Sequence, residues 1–217
     1  MATALDICAA AYRRANLDQP LSSWFQQDFP FNVARDIMNL VIQEMNSKGH
    51  YWFTETYSSL MYTPGVNEWS FTSFQSDPKG ILRIRKELPG YKGELIESNF
   101  RNFQQRWRVD STIASGEPRY WSKFGNSFQL DTIPDKDYNL VVYHLRDMPD
   151  IVENVDALLC QDADNHVFQE GCYAYLLKTL QRPDWDSAYA AYISKVNNIL
   201  AEMNKDVGIP RQMPAMF

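Results

Sequence analysis

The residues best placed for chemistry in this chain are few. His166 and Cys172 come nearest to a base and its nucleophile, since a thiol is activated when an imidazole can take its proton. Six residues apart on one helix, however, the two side chains point well apart in angle and do not meet. The acidic pairs Asp135/Asp137 and Asp162/Asp164 are of the type that ligates cations or serves a glycosidase. Both sit in turn-like sequence, where an aspartate closes a turn or caps a helix without catalytic duty. Glycine-rich phosphate loops, the H-E-x-x-H and C-x-x-C metal spacings and the G-x-S-x-G nucleophile turn do not occur. The expectation is a structural protein, not an enzyme, with no catalytic residue, cofactor or metal.

The remaining reactive side chains fit that reading. Cys8, Cys160 and Cys172 lack metal spacing, and an odd number argues against a disulfide framework. Cys8 and Cys172 fall on apolar helix faces and read as buried free thiols. His50, His144 and His166 are scattered and read as structural or surface residues. Trp52, Trp69, Trp107, Trp121 and Trp185 offer two uses, stacking sugars or filling a protein interface. Trp107 and Trp185 lie on apolar helix faces, which favours packing, and interface use is preferred to a carbohydrate-binding module. A hydrolase built on an Asp/Glu pair has no motif behind it.

Net charge is −6, which disfavours contact along nucleic-acid backbones. Between Tyr51 and Asp164 there are 12 Lys and Arg against 17 Asp and Glu, whereas the flanks carry 9 against 10. The middle therefore holds nearly all of the acidic excess. The first residues lack the basic start and apolar run of a signal peptide. No stretch reaches the ~20 apolar residues that span a bilayer. Folding in a cytoplasm, away from membranes, is expected.

The ends of the chain read as helix and its middle as strand. Helix one begins near Thr3, with Asp6 as a capping-box partner and Leu5, Cys8, Ala9, Tyr12 and Ala15 at helical spacing. Helix two opens at Asp28 or Phe29 with Pro30 in its first turn, carries Val33, Ile37, Leu40, Val41 and Met45 on one stripe, and stops at Gly49. Strands are expected at Thr54–Tyr62, Glu68–Thr72, Ile81–Glu87 and Glu94–Glu97, then a short helix capped by Ser98 with Phe100, Phe103 and Trp107 on one side. Further strands follow at Arg119–Lys123, Ser127–Thr132 and Tyr138–Arg146. Leu82 and Ile84 share a face of the third strand, and the last strand reads as buried on both faces.

Helix returns after Asp164 with Val167, Phe168, Cys172, Tyr175, Leu176 and Leu180 on one face, and again after Pro183-Asp184. Prolines 210 and 214 make 205–217 an extended arm. The fold class expected is α+β: a helical bundle of residues 1–50 and 165–204, an inserted antiparallel β sandwich or barrel at 51–164, and the C-terminal arm at 205–217.

The order of elements resembles a known family, the head-to-tail adaptors of short-tailed bacteriophages, the tail tubular protein A group among them. Asn46-Ser47-Lys48-Gly49-His50-Tyr51-Trp52-Phe53 resembles the step where the long helix of those adaptors enters their β module. Gly116-Glu117-Pro118-Arg119-Tyr120 and Pro134-Asp135-Lys136-Asp137-Tyr138 are similar to their "G-x-P-x-Y … P-x-P-D-x-x-Y" hairpin, and Pro183-Asp184-Trp185 to the start of their last helix. The chain departs from the family in Thr132-Ile133-Pro134, where Pro-x-Pro is usual. It departs again in Asp162-Ala163-Asp164, where a proline commonly precedes the penultimate helix.

The resemblance implies a virion protein of the neck, assembled in the host cytoplasm as a dodecameric ring beneath the portal protein. Such a ring extends the DNA channel without specific DNA binding and offers a platform to tail nozzle or fibre proteins. A tail tube or stopper subunit is the nearest alternative. In this reading Ile209, Pro210, Met213, Pro214 and Phe217 of the arm are the portal contacts.

Overall fold

The computed structural model describes residues 2–17, 19–49, 51–61, 65–74, 78–88, 91–107, 113–160 and 164–207. The chain is mixed α+β, and its described residues form five α-helices and one curled seven-stranded sheet. It divides into two compact units, Met1–Thr54 with Met148–Phe217, and Glu55–Asp147.

The first unit is helical. Helix α1 (Ala4–Arg14) starts as its capping box requires. Asp6 N–H donates to Thr3 Oγ1 at 3.2 Å, and Thr3 N–H donates to Asp6 Oδ2 at 2.9 Å. Helix α2 (Ala34–Lys48) begins later than its proline suggested. The Asp28 carbonyl accepts the N–H groups of Phe31 and Asn32, so the chain makes a tight turn and a 3₁₀ turn at Phe31–Val33 before the α-helix. Its buried stripe is Ala34, Ile37, Met38, Val41, Ile42 and Met45, and Leu40 lies exposed outside it. One residue turns the helix by about 100°, which carries Leu40 off a stripe centred on Met38 and Val41.

Helix α4 (Asn165–Thr179) touches α1, α2 and α5 (Trp185–Val207), so it is buried on several sides and not along one face. Gly171 allows the close crossing. A Cβ there would lie 2.8 Å from Val41 Cγ1 and 2.9 Å from Tyr192 Cε2. The shared core is aliphatic and aromatic, with Cys8, Cys160 and Cys172 as buried free thiols. Helix α5 reaches Val207, three residues into the stretch expected to be extended, because Pro210 opposes helix only around its own position. The remainder of the expected arm, with Ile209, Pro210, Met213, Pro214 and Phe217, lies outside the described residues.

The second unit holds strands β1 (Glu55–Met61), β2 (Glu68–Ser70), β3 (Pro78–Leu88), β4 (Tyr91–Glu97), β5 (Tyr120–Phe124), β6 (Ser127–Leu130) and β7 (Asn139–Arg146), with helix α3 (Phe100–Trp107) between β4 and β5. Their order in the sheet is β1-β7-β3-β4-β5-β6-β2. All pairings are antiparallel except β4 with β5, which the α3 crossover makes parallel. Leu60 of β1 shares one core with Phe128 and Leu130 of β6, so the sheet curls until strands near both ends meet. β7, paired on one side with β1 and on the other with β3, buries Leu140, Val142 and His144 on its core face and Val141 and Leu145 on the opposite face, where Tyr143 is half-buried. A bulge between Ile81 and Arg83 separates Leu82, which is exposed, from the buried Ile84.

Candidate functional site

In the helical unit, two asparagines of α2 hold an extended strand of chain. Asn39 donates its amide to the Ile151 carbonyl at 3.1 Å and accepts the Ile151 N–H at 2.7 Å. Asn46 does the same with Met148, at 3.0 and 3.1 Å. Seven helical residues rise about 10.5 Å, and three extended residues span about 10 Å, so the two amides match the two peptide groups.

The chain then turns tightly. Asp156 accepts the N–H groups of Val152 and Glu153, both at 2.8 Å, which holds its carboxyl below the usual carboxylate range. Buried Trp24 adds two bonds, from its backbone N–H to Asn154 Oδ1 at 2.9 Å and from its indole N–H to the Glu153 carbonyl at 3.2 Å. The tip of this braced turn is nonetheless apolar. Val155 is 80% exposed, Val152 is exposed, and so is Phe25 beside Trp24. Asp150 and Glu153 are exposed along the same turn. Apolar side chains braced by hydrogen bonds and left in water make this turn the candidate contact surface of the helical unit.

In the β unit, the two stretches of the adaptor-like hairpin are fastened to each other. Gly116 N–H donates to the Ile133 carbonyl and Ile133 N–H to the Ala114 carbonyl, both at 2.9 Å. Arg119 N–H donates to Asp131 Oδ1 at 3.0 Å, and Asp131 N–H to the Tyr120 carbonyl at 3.1 Å. Lys86, a buried residue of β3, donates to the Glu117 carboxylate and to the Pro118 carbonyl, the latter at 2.9 Å. That ammonium holds the Glu117 carboxyl below its ordinary range. Burial pushes the Asp131 carboxyl up, against the pull of the Arg119 and Tyr120 backbone. Tyr138 closes the far end, its hydroxyl donating to Asp135 Oδ1 at 2.7 Å. The hairpin is therefore a clasp that closes the curled sheet.

The opposite face of β1, β7 and β3 is exposed in part: Val141 and Leu145 are buried there, while the row around Tyr143 reaches solvent. Cross-strand partners Tyr57, Tyr143 and Arg83 form a row over β1, β7 and β3. The Arg83 guanidinium lies 4.2 Å from the centroid of the Tyr143 ring, and the Tyr57 and Tyr143 rings are 6.2 Å apart. Tyr57 is 65% exposed, and Leu82 and Ile96 are exposed with it. Arg85 is paired with Glu87 at 2.6 Å, whereas Arg83 has no carboxylate partner among the described residues.

The residues singled out for chemistry are not brought together. His166 is exposed at the start of α4, while Cys172 is buried with its Sγ 3.8 Å from Met38 Sδ. His144 is buried in the β unit against Ser58 Oγ at 3.0 Å, and burial lowers its pKa. Asp135 and Asp137 occupy an exposed turn; His50 and Asp162 lie outside the described residues. No metal-binding group of three or more His, Cys, Asp or Glu occurs among the described residues, and no helix there is long and apolar enough to cross a membrane.

Three tryptophans are spent on packing in the β unit. Trp121 is buried, Trp69 stacks on Phe128 at 5.3 Å and Trp107 leans on Tyr120 at 4.8 Å. Trp185 helps line a cavity of about 170 Å³ with Ala174, Tyr175, Lys178 and Tyr189, small beside the ~300–1,000 Å³ of drug-sized ligand sites. Sequence reasoning missed Trp24 and the braced turn it supports. The available signal was the pair Asn39 and Asn46, polar residues seven apart on an otherwise amphipathic helix.

Among known proteins, residues 2–215 match the family model described as SU10 adaptor protein. No individually curated protein matches the chain.

Proposed function

Since the chain belongs to the SU10 adaptor protein family, a family of phage structural adaptors, we propose that it is a ring subunit bound beneath the portal in the virion neck. The ring, a dodecamer, extends the DNA channel and carries tail nozzle or fibre proteins. The observation that carries this reading is the family match over nearly the whole chain, 2–215. The rigid apolar turn and the partly exposed sheet face support it, since a ring subunit must offer two different surfaces to its neighbours.

The two units divide the work. The helical unit forms the body of the ring, and the β unit projects toward neighbours or the next tail component. The acidic excess of the middle of the chain suits a conduit, because a wall that repels phosphate lets DNA slide. The terminal segment anchors the ring, with Ile209, Pro210, Met213, Pro214 and Phe217 as apolar contacts on the portal. Subunits are made in the host cytoplasm and remain in the virion.

Native mass spectrometry of the chain, alone and mixed with the portal ring of the same virus, tests this. A portal–chain complex with one chain per portal subunit is expected, and no complex would overturn the reading. Deleting 208–217 leaves α5 whole; it should preserve the circular dichroism of the chain and abolish portal attachment. Unchanged attachment would dismiss the segment's role.

A further inference from the structure

Two unsatisfied surfaces of this chain are complementary to each other. The turn at Asp150–Asp156 offers Val152 and Val155 flanked by the exposed carboxylates Asp150 and Glu153. Neither of those carboxylates has an ion-pair partner among the described residues. The exposed part of the sheet face offers Tyr57, Leu82 and Ile96 around Arg83, whose guanidinium lies over the Tyr143 ring and has no carboxylate partner among the described residues. One surface is apolar with negative flanks, and the other is aromatic and apolar with a positive centre.

Both are prepared in advance of binding. Asn39, Asn46, Asp156 and Trp24 fix the turn, while cross-strand pairing and the Tyr143 ring fix Arg83. Little ordering entropy remains to be lost on contact. Tyr and Arg are also the residue types that anchor interfaces.

We infer that the Val152/Val155 turn of one copy docks on the Tyr57/Arg83/Ile96 sheet face of the next copy, forming the seam between adjacent subunits. The contact is heterologous, a patch on the helical unit meeting a different patch on the β unit, and repeated head to tail it closes into a ring. Glu153 or Asp150 then supplies the carboxylate that Arg83 lacks, and the valines cover Tyr57 and Ile96. This inference rests on the ring reading and names its seam.

The test places a photo-reactive phenylalanine at position 155 in the full chain, mixes ¹⁵N-labelled and unlabelled copies, assembles them with the portal ring, and maps cross-links by mass spectrometry. Links between copies, from position 155 to peptides holding Tyr57, Arg83 or Ile96, are expected. Links confined within one copy, or to other faces, overturn the seam while leaving the ring standing; absence of any ring overturns both. In parallel, Arg83→Glu should weaken subunit association by about tenfold or more, with the circular dichroism of the chain unchanged. Adding Glu153→Arg to Arg83→Glu should restore it. A double variant as weak as Arg83→Glu alone overturns the pairing.

Discussion

The helical unit and the β unit bury their polar groups in opposite ways. In the first, charge stays at the margin. Glu170 is held by Arg14 at 2.8 Å and Lys195 at 2.7 Å, and Glu44 accepts the hydroxyls of Tyr175 and Tyr189. Its core is apolar apart from thiols and tyrosines. In the second, Lys86, Gln129, Asp131 and His144 are themselves buried. Helices satisfy their own backbones, so a stripe of apolar residues is enough to pack them. A curled sheet must also close its loops, and here the closing bonds are made by specific polar side chains whose loss leaves buried partners unpaired.

Removing both asparagine amides attacks the helical unit where it resembles the β unit most. Asn39→Ala with Asn46→Ala deletes four hydrogen bonds to part-buried backbone. At about 1–3 kcal/mol for each site, the pair should cost about 2–6 kcal/mol. Hydrogen exchange should rise at 148–156 and stay unchanged in β3 and β7. Equal losses of protection in the two units would erase the contrast between them.

In the β unit, Lys86→Met strands the Pro118 carbonyl and should cost about 1–3 kcal/mol in urea denaturation. Glu117→Gln keeps the ammonium on the Pro118 carbonyl and leaves it an amide oxygen as acceptor, so its cost should stay below that of Lys86→Met. If Glu117→Gln proves as harmful as Lys86→Met, the clasp depends on the ion pair and not on the carbonyl. Gly171→Ala tests the helical unit by crowding instead. The added methyl meets Val41 and Tyr192, and a loss of about 1–3 kcal/mol is expected in the same assay.

What was legible in the sequence follows the same division. The capping box at Thr3 and Asp6, the helical spacing of α1 and α5, and the alternation of strands and turns were readable because each is a local signal. The single face expected of α4 was not found, because that helix is packed on several sides. The start of α2 was misplaced because Pro30 belongs to a turn and the 3₁₀ segment intervenes. Leu82 was misassigned because a bulge breaks the two-residue period without a sequence mark. The parallel join of β4 and β5 depends on the α3 crossover, which no local pattern encodes. The two candidate surfaces were not legible at all. Val152 and Val155 look like ordinary loop residues until Asn39, Asn46 and Trp24, more than a hundred residues away, are seen to hold them.

Acid should separate the two units, and by the smallest margin. His144 is kept neutral by burial, so its folded pKa lies below the unfolded value of 6.5. As pH falls through about 6.5 the unfolded chain gains a proton that the folded chain refuses. Stability of the β unit then declines, by at most about 1.4 kcal/mol per pH unit, until the folded histidine also titrates. Asp131 acts in the opposite sense, its raised pKa returning stability as it protonates at lower pH. Glu170 is pushed up by burial but pulled further down by Lys195 and Arg14, to a net value below 4.5. Its contribution is complete above pH 4.5 and fades only below it. Between pH 7 and 5, the protection of β1 and β7 against hydrogen exchange, taken relative to the intrinsic rate at each pH, should therefore fall while that of α1 and α4 holds steady. His144→Asn should remove that slope, and a slope that survives the substitution would assign the acid sensitivity to another group in the sheet.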